Sequence, residues 1–227
     1  MQDEARKDEL DVEEPSSRSQ FLKIAGGTGA AGALALFIAA CGGDDEKSSS
    51  SSSSSSDKEK MGSGSAKGDL KIVNYALTLE YLEADFYKQV IESGEIKDKK
   101  LGEVAKTIAN DENEHVAALT ATVEQLGGKP AAKPTTNFDD VLAGGEKKIL
   151  ETAATVENLG AAAYLGQAAN IKSKEVLAAA LSIHTVEGRH AAVLNSVIGK
   201  SIVPDGAFAK PADMATVLKA VKPFIKA

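Results

Sequence analysis

Two short motifs in the sequence each place a glutamate three residues before a histidine, at Glu112-x-x-His115 and at Glu187-x-x-His190. Residues with this spacing lie on one face of an α-helix, so each pair can bind one metal ion together. Both motifs also lie on apolar stripes with helical spacing, where a core side chain is expected. The stripe around the second motif consists of Val176, Ala180, Ile183, Glu187, His190, Leu194 and Val197. Each pair is therefore directed at the interior of the fold.

Each motif follows a predicted helix that carries another glutamate on its apolar stripe, Glu80 before the first motif and Glu157 before the second. A buried carboxylate is costly unless it is paired or binds a cation. Two divalent cations would stabilise all four glutamates, because the cations keep the carboxylates ionised and the carboxylates bridge the cations. The sequence therefore predicts a two-metal carboxylate site.

An internal repeat supports this prediction. Tyr87 follows Glu80 by seven residues, and Tyr164 follows Glu157 by the same interval. Each half thus presents a Glu…Tyr helix followed by a Glu-x-x-His helix, which predicts a site with twofold pseudo-symmetry. The tyrosines either lie beside the metals or simply fill the core, as tyrosines on bundle stripes often do.

Two further residues near the motifs have less support. Glu83 lies three residues after Glu80, but Gly160 occupies the matching position of the second half. We therefore favour Glu83 as an outer partner of the ligands over an additional ligand. His184 lies three residues before Glu187. A surface or boundary position is favoured for it, with an outer contact to the site as the alternative.

The elements that must position these residues are four long helices. Hydrophobic periodicity and Gly/Pro punctuation predict them over residues 70–91, 101–126, from between 138 and 145 to 170, and 173–198. Short loops make the first two and the last two antiparallel neighbours, and residues 127–137 form a crossover along the bundle. The fold class is all-α: a four-helix bundle of two antiparallel pairs over residues 68–200. Residues 201–227 form a tail with a short helix, expected to cover one end.

Composition agrees with such a bundle and excludes other classes. Apolar residues make up 43 % of the 227 residues, whereas aromatic residues make up 4 % and Trp is absent. The net charge of −7 gives no sign of nucleic-acid binding. The single cysteine, Cys41, excludes an intrachain disulfide framework and a thiolate-rich metal site.

Residues 1–40 are predicted to be a signal peptide. The apolar run over residues 24–40 falls short of the ~20 residues that span a bilayer. It ends in Ile38-Ala39-Ala40-Cys41, which resembles a bacterial lipobox. That resemblance implies cleavage before Cys41 and lipidation of its thiol, giving an exported cell-envelope lipoprotein on the outer face of the cytoplasmic membrane or in the periplasm. The alternative is a buried cysteine at the end of an apolar helix.

The export route stays open. Residues 17–23, Ser-Arg-Ser-Gln-Phe-Leu-Lys, resemble a twin-arginine motif, but Ser19 stands where the second arginine belongs. Residues 41–67 are predicted to be the lipidated cysteine and a disordered linker, since they contain an unbroken serine run over 48–56. Such a coil spans about 25–30 Å and would hold the domain off a membrane surface.

From about residue 70 to 199 the chain resembles the ferritin-like superfamily, in which two helices each supply a Glu and two others a Glu-x-x-His. Residues 74–83 and 157–164 resemble the bacterial ferritin-like domain family that includes desiccation-related proteins. The resemblance implies that one glutamate and one histidine hold each metal, that two glutamates bridge the metals, and that two tyrosines lie beside them. The glutamates that hold one metal each are Glu80 and Glu157, and the histidines are His115 and His190. The bridging glutamates are Glu112 and Glu187, and the tyrosines are Tyr87 and Tyr164.

The resemblance implies two iron ions, with manganese as the alternative metal. The expected function is O₂, peroxide or iron-oxidation chemistry in stress defence, as a ferroxidase, peroxidase or catalase-like enzyme. The alternatives are a non-enzymatic metal-binding or structural stress-protective envelope lipoprotein, and a metal-free ferritin fold serving as an interaction module. Expected partners are a membrane, through the lipid on Cys41, and a second copy in a possible homodimer. The sequence names no electron donor.

Overall fold

The computed structural model describes residues 63–226, with side chains from Ala66 onward. The predicted signal peptide, Cys41 and most of the predicted linker lie outside this range. The first helix begins at Ser63, ahead of the predicted start near residue 70 and inside the segment predicted as linker. Extending an existing helix costs far less than nucleating one, so a long apolar helix can continue into a Gly/Ser segment.

Four long helices account for most of the described residues. They are α1 (Ser63–Ser93), α2 (Lys99–Gln125), α4 (Gly145–Ala168) and α5 (Lys174–Val197). Two short helices, α3 (Asp139–Ala143) and α6 (Met214–Val221), precede α4 and follow α5, and a 3₁₀ turn (Lys222–Phe224) follows α6. The predicted all-α class and four-helix count are confirmed.

Side chains at the helix starts explain where α2 and α5 begin. The Asp98 carboxylate accepts hydrogen bonds from the backbone N–H groups of Lys100 and Leu101, at 2.8 and 3.1 Å. The Ser173 hydroxyl accepts one from Val176 N at 3.2 Å. These N-caps satisfy donors that a helix start leaves free. After α2 the chain turns at Gly127, whose φ of 73° is strained for residues with a Cβ.

Contacts along α1 show the path of the crossover between the two helix pairs. Near the start of α1, Asn74 Oδ1 accepts a hydrogen bond from Ala131 N at 2.6 Å. Eleven residues further along α1, the Asp85 carboxylate bonds Lys133 Nζ at 2.8 Å and the Thr136 hydroxyl. The crossover therefore runs along the bundle, as predicted, and the structure places it beside α1. The two helix pairs are α1–α2 and α4–α5, and the two helices of each pair pack against each other along their lengths.

The C-terminal segment covers a face of the bundle rather than one end, contrary to the expectation. Val217 and Val221 of α6 are buried in the main core cluster. They line a crevice with mid-helix residues of α1 and α4, including Glu83 and Gly160. Backbone hydrogen bonds fix the segment at both ends, from Ala212 N to Ala162 O and from Asn137 N to Phe224 O, each at 2.9 Å. Nothing in the tail sequence alone indicated which surface it would cover.

The apolar stripes are buried along most of their length, with exceptions at the helix ends. Val197 was predicted to lie on the apolar stripe of the fourth helix, but it is 38 % exposed, and Ile91 near the end of α1 is 39 % exposed. Both lie in the last turn of a helix. Within the described residues, no helix is long and apolar enough to cross a membrane.

Candidate metal centre

The fold brings all six predicted ligand residues together in the middle of the bundle. They form two overlapping groups in which one ligand atom per residue lies within 4.8 Å of the others. The first group is Glu80, Glu112, His115 and Glu187, and the second is Glu112, Glu157, Glu187 and His190. Two residues are shared, which is the arrangement expected when two carboxylates bridge two metal ions.

Distances between the histidines and the carboxylates define the two positions. His115 Nδ1 lies 3.2 Å from Glu80 Oε2 and 3.1 Å from Glu112 Oε2. His190 Nδ1 lies 3.2 Å from Glu157 Oε2 and 3.1 Å from Glu112 Oε1. The two oxygens of Glu112 therefore point to different histidines, so this carboxylate lies between the two positions.

The four ligand glutamates are fully buried, at 0 % exposure, and some of their oxygens lack hydrogen-bond donors. Glu112 Oε1 and both oxygens of Glu187 accept no hydrogen bond from the described residues. Glu187 Oε1 and Glu112 Oε1 lie only at ion-pair distance from a histidine, 3.3 and 3.1 Å. Buried carboxylate oxygens without donors are costly, and a cation between them would satisfy them. The residues present therefore fit a pair of metal ions.

Burial and mutual repulsion set the pKa values of these carboxyl groups. Burial, followed by the charges of the neighbouring glutamates, raises the pKa of Glu187 well above its usual range. Burial also raises the pKa of Glu112 to about 7, against the two neighbouring histidines, His115 and His190, which lower it. For Glu80, burial is outweighed by the hydrogen bond and charge of His115, so its pKa is lowered. Without metal, the centre therefore retains protons on some of its carboxyl groups near neutral pH.

The two histidines carry positive charge in the metal-free centre. Burial lowers their pKa values, but the surrounding carboxylates outweigh it, raising the pKa of His190 to about 11 and that of His115 further. The imidazolium groups thus offset part of the carboxylate charge. Metal ions must displace these protons from Nδ1, so metal affinity should rise with pH.

The two predicted tyrosines bind across the halves of the repeat. Tyr87 Oη donates a hydrogen bond to Glu157 Oε1 at 2.5 Å, and Tyr164 Oη donates one to Glu80 Oε1. Burial, followed mainly by the adjacent glutamate, raises the pKa of both phenols well above the usual range. Each phenol therefore stays protonated and fixes one glutamate, leaving that carboxylate's other oxygen toward a histidine.

Glu83 is a fifth buried glutamate, only 2 % exposed, that lies outside both ligand groups. The space for it comes from Gly160, because a Cβ there would lie 2.9 Å from Glu83 Oε1 and 2.7 Å from Glu187 Oε2. Glu83 therefore lies beside a shared ligand. Burial, followed by the charge of Glu187, raises its pKa well above the usual range.

Asp111 is a site residue that was not predicted from the sequence. Its Oδ2 lies 3.1 Å from His190 Nε2, on the side of the ring opposite the ligand nitrogen. The available signal was an acidic residue directly before Glu112, but its position off the apolar stripe suggested a solvated face. His184, by contrast, lies outside both ligand groups, and its Nδ1 contacts Ala161 O at 3.0 Å.

Helix order, crossover and the paired Glu and Glu-x-x-His helices are those of ferritin-like bundles, and the buried carboxylate–histidine cluster is compatible with metal binding. A family model described as Ferritin-like domain matches residues 68–200. The chain therefore belongs to the ferritin-like domain family. No curated protein matches the chain in a sequence search.

Proposed function

We propose that the cluster binds two iron or manganese ions and that the pair serves redox chemistry with O₂ or peroxide. The observation that carries this proposal is the set of buried oxygens on Glu112 and Glu187 that accept no hydrogen bond, flanked by one histidine on either side. A donor set rich in carboxylate oxygen, with one imidazole per position, suits iron and manganese.

The protein residues divide into holding and orienting groups. Glu80 with His115 would hold one ion and Glu157 with His190 the other, while Glu112 would contact both. A bound pair of such ions can donate electrons to O₂ or peroxide. Tyr87 and Tyr164 orient the outer glutamates. The surrounding apolar core excludes water, which strengthens every electrostatic interaction at the centre.

Metal content is the first test. The full chain, purified without chelator, should contain about two iron or manganese ions per chain by elemental analysis. The double substitution Glu112→Ala/Glu187→Ala should remove both ions. Glu103→Ala/Glu124→Ala removes the same charge from exposed positions of α2 and should retain them.

Activity separates the two candidate classes. Consumption of O₂ or peroxide by the loaded chain, absent from the Glu112→Ala/Glu187→Ala variant, would support the oxidoreductase. Metal binding without turnover would instead support a non-enzymatic stress-protective protein whose metals stabilise the bundle. A helical chain that takes up neither added Fe(II) nor Mn(II) would contradict the metal proposal.

We also propose, from the sequence alone, that a lipid on Cys41 tethers the domain to the cell envelope. Cys41→Ser should move the chain from the membrane fraction to the soluble fraction, because one thiol would carry the anchor. Ser52→Ala, a substitution in the serine run, should leave fractionation unchanged. Unaltered membrane association of Cys41→Ser would contradict the tether.

A further inference from the structure

The two candidate metal positions have matching ligands, but the side chains that contact those ligands from outside differ. Asp111 Oδ2 contacts Nε2 of His190 at 3.1 Å, and the side chains of His190 and Asp111 are 9 % and 28 % exposed. In the repeat, Glu112 matches Glu187, so the position matching Asp111 in the second half is Val186. A valine side chain has no hydrogen-bond acceptor, so the repeat provides no equivalent carboxylate for His115.

This difference changes how each imidazole is presented. Asp111 accepts a hydrogen bond from His190 Nε2, which leaves Nδ1 as the nitrogen for a metal ion and fixes the plane of the ring. The contacts of His115 with carboxylates of the described residues all involve Nδ1, the nitrogen that a metal ion would occupy. Without such a partner, the plane of its ring would be less firmly fixed when an ion binds.

The remaining neighbours do not compensate for this difference. Glu112 and Glu187 belong to both positions. Each outer glutamate accepts a hydrogen bond from one buried tyrosine. Glu83 lies beside Glu187, which is shared, so it acts on both positions. Asp111 is thus the neighbour that distinguishes one position from the other.

We propose that the two metal positions are unequal, so that the position of Glu157 and His190 fills first and the position of Glu80 and His115 fills second and exchanges faster. Asp111 is the positioning residue that creates this order. The inference rests on the proposed metal function. A carboxylate behind a metal-bound histidine typically contributes 10–100-fold in metal affinity.

The test is a titration of the metal-free full chain with Mn(II), followed by calorimetry and electron paramagnetic resonance. The wild-type chain should bind in two resolved steps about 10–100-fold apart. The first equivalent should give the six-line spectrum of an isolated Mn(II) ion, and the second should convert it to that of a coupled pair. Glu157→Gln should remove the tight step, whereas Glu80→Gln should remove the weak one.

Exchanging the two outer residues tests the assignment to Asp111. Asp111→Val copies the other half and should weaken the first step about 10–100-fold, merging it with the second. Asp111→Asn retains an acceptor and should lose less, which a purely structural role would not predict. Val186→Asp should tighten the second step, and circular dichroism should show that each variant remains helical.

Three results would overturn the inference. Two equivalents that bind the wild-type chain with equal affinity would refute the unequal positions while leaving the two-metal function intact. An Asp111→Val variant that weakens both steps equally, or neither, would show that Asp111 does not set the order. A wild-type chain that binds no Mn(II) and no Fe(II) would refute the inference together with the proposed function.

Discussion

The α1–α2 and α4–α5 pairs supply the same ligands in the same order, yet they differ directly outside them. The first pair carries Glu83 and Asp111, whereas the second carries Gly160 and Val186 at the matching positions. Both extra carboxyl groups lie near groups of the opposite half, since Asp111 contacts His190 and Glu83 lies beside Gly160 and Glu187. The ligands are therefore close to symmetric, whereas the additional carboxyl groups beside them come from one half.

The C-terminal helix α6 packs at one of the positions where the two halves differ. Val217 and Val221 of α6 line the crevice where Glu83 and Gly160 meet. The segment before α6 passes so close to α4 that a Cβ at Gly166 would lie 1.9 Å from Ala212 O. Small residues in α4 thus admit both a carboxylate from the first half and the covering tail.

The largest expected effect is the pH dependence of stability that the buried carboxyl groups of both halves cause in the metal-free chain. In the metal-free chain the pKa of Glu112 is raised to about 7, and those of Glu83 and Glu187 are also raised. A group with a raised folded-state pKa stabilises the fold below its unfolded pKa and loses that contribution as pH rises through the folded value. The free energy of unfolding should therefore fall between about pH 4.5 and 7, on the order of 3 kcal/mol from Glu112 alone.

Denaturant unfolding of the chelator-treated chain at several pH values measures this effect. Glu83→Gln should make the free energy of unfolding fall less steeply with pH, because it removes a carboxyl group whose pKa is raised in the folded chain. The metal-loaded chain should show the opposite trend, since metal ions compete with protons for the same atoms. Metal-free stability that increased from pH 5 to 7 would contradict the charge assignment.

The sequence predicted the parts of this comparison that depend on local spacing. Glu187 and His190 fall on a stripe whose intervals of three and four residues allow only one face of a helix. Because the matching residues of the first half show the same spacing, the ligand cluster could be predicted before its geometry was known. The crossover along the bundle followed from loop lengths alone, whereas its position beside α1 did not.

Features that depend on how two helices meet could not be predicted in this way. Asp111 lies off its own stripe, and only the position of α5 brings it to His190. The site of α6 depends on the space left by Gly160 and Gly166, which a sequence pattern does not show.

The second-largest effect is expected at Gly160, which occupies the position that Glu83 has in the other half. Gly160→Ala would place a Cβ 2.7 Å from Glu187 Oε2 and 2.9 Å from Glu83 Oε1, so the two carboxylates must move. We expect a loss of about 1–3 kcal/mol in the free energy of unfolding, as for other overpacked core positions, together with weaker metal binding.

Gly188→Ala is the matched control for this substitution. It lies in α5 one residue after Glu187, and a Cβ there has nothing within 4 Å. It should stabilise the helix by up to about 1 kcal/mol, because alanine has the higher helix propensity. Equal effects of the two substitutions would show that Gly160 is not required for the approach of the two carboxylates.

The smallest expected effect is the loss of the tyrosine-to-glutamate hydrogen bond, which both halves have. Tyr87→Phe and Tyr164→Phe each remove a hydrogen bond from a buried phenol to the outer glutamate of the other half. A hydrogen bond to a charged group contributes about 1.5–3 kcal/mol, and partial relaxation of the carboxylate toward its histidine should reduce that loss to about 1–2 kcal/mol. Because both phenols are buried against equivalent carboxylates, the two losses in denaturant unfolding should agree within about 0.5 kcal/mol.

Tyr81→Phe, at a partly buried position of α1, should have little effect and serves as the control. A loss confined to one of the two buried tyrosines would show that the asymmetry of Asp111 and Glu83 extends to the hydrogen bonds that hold the outer glutamates.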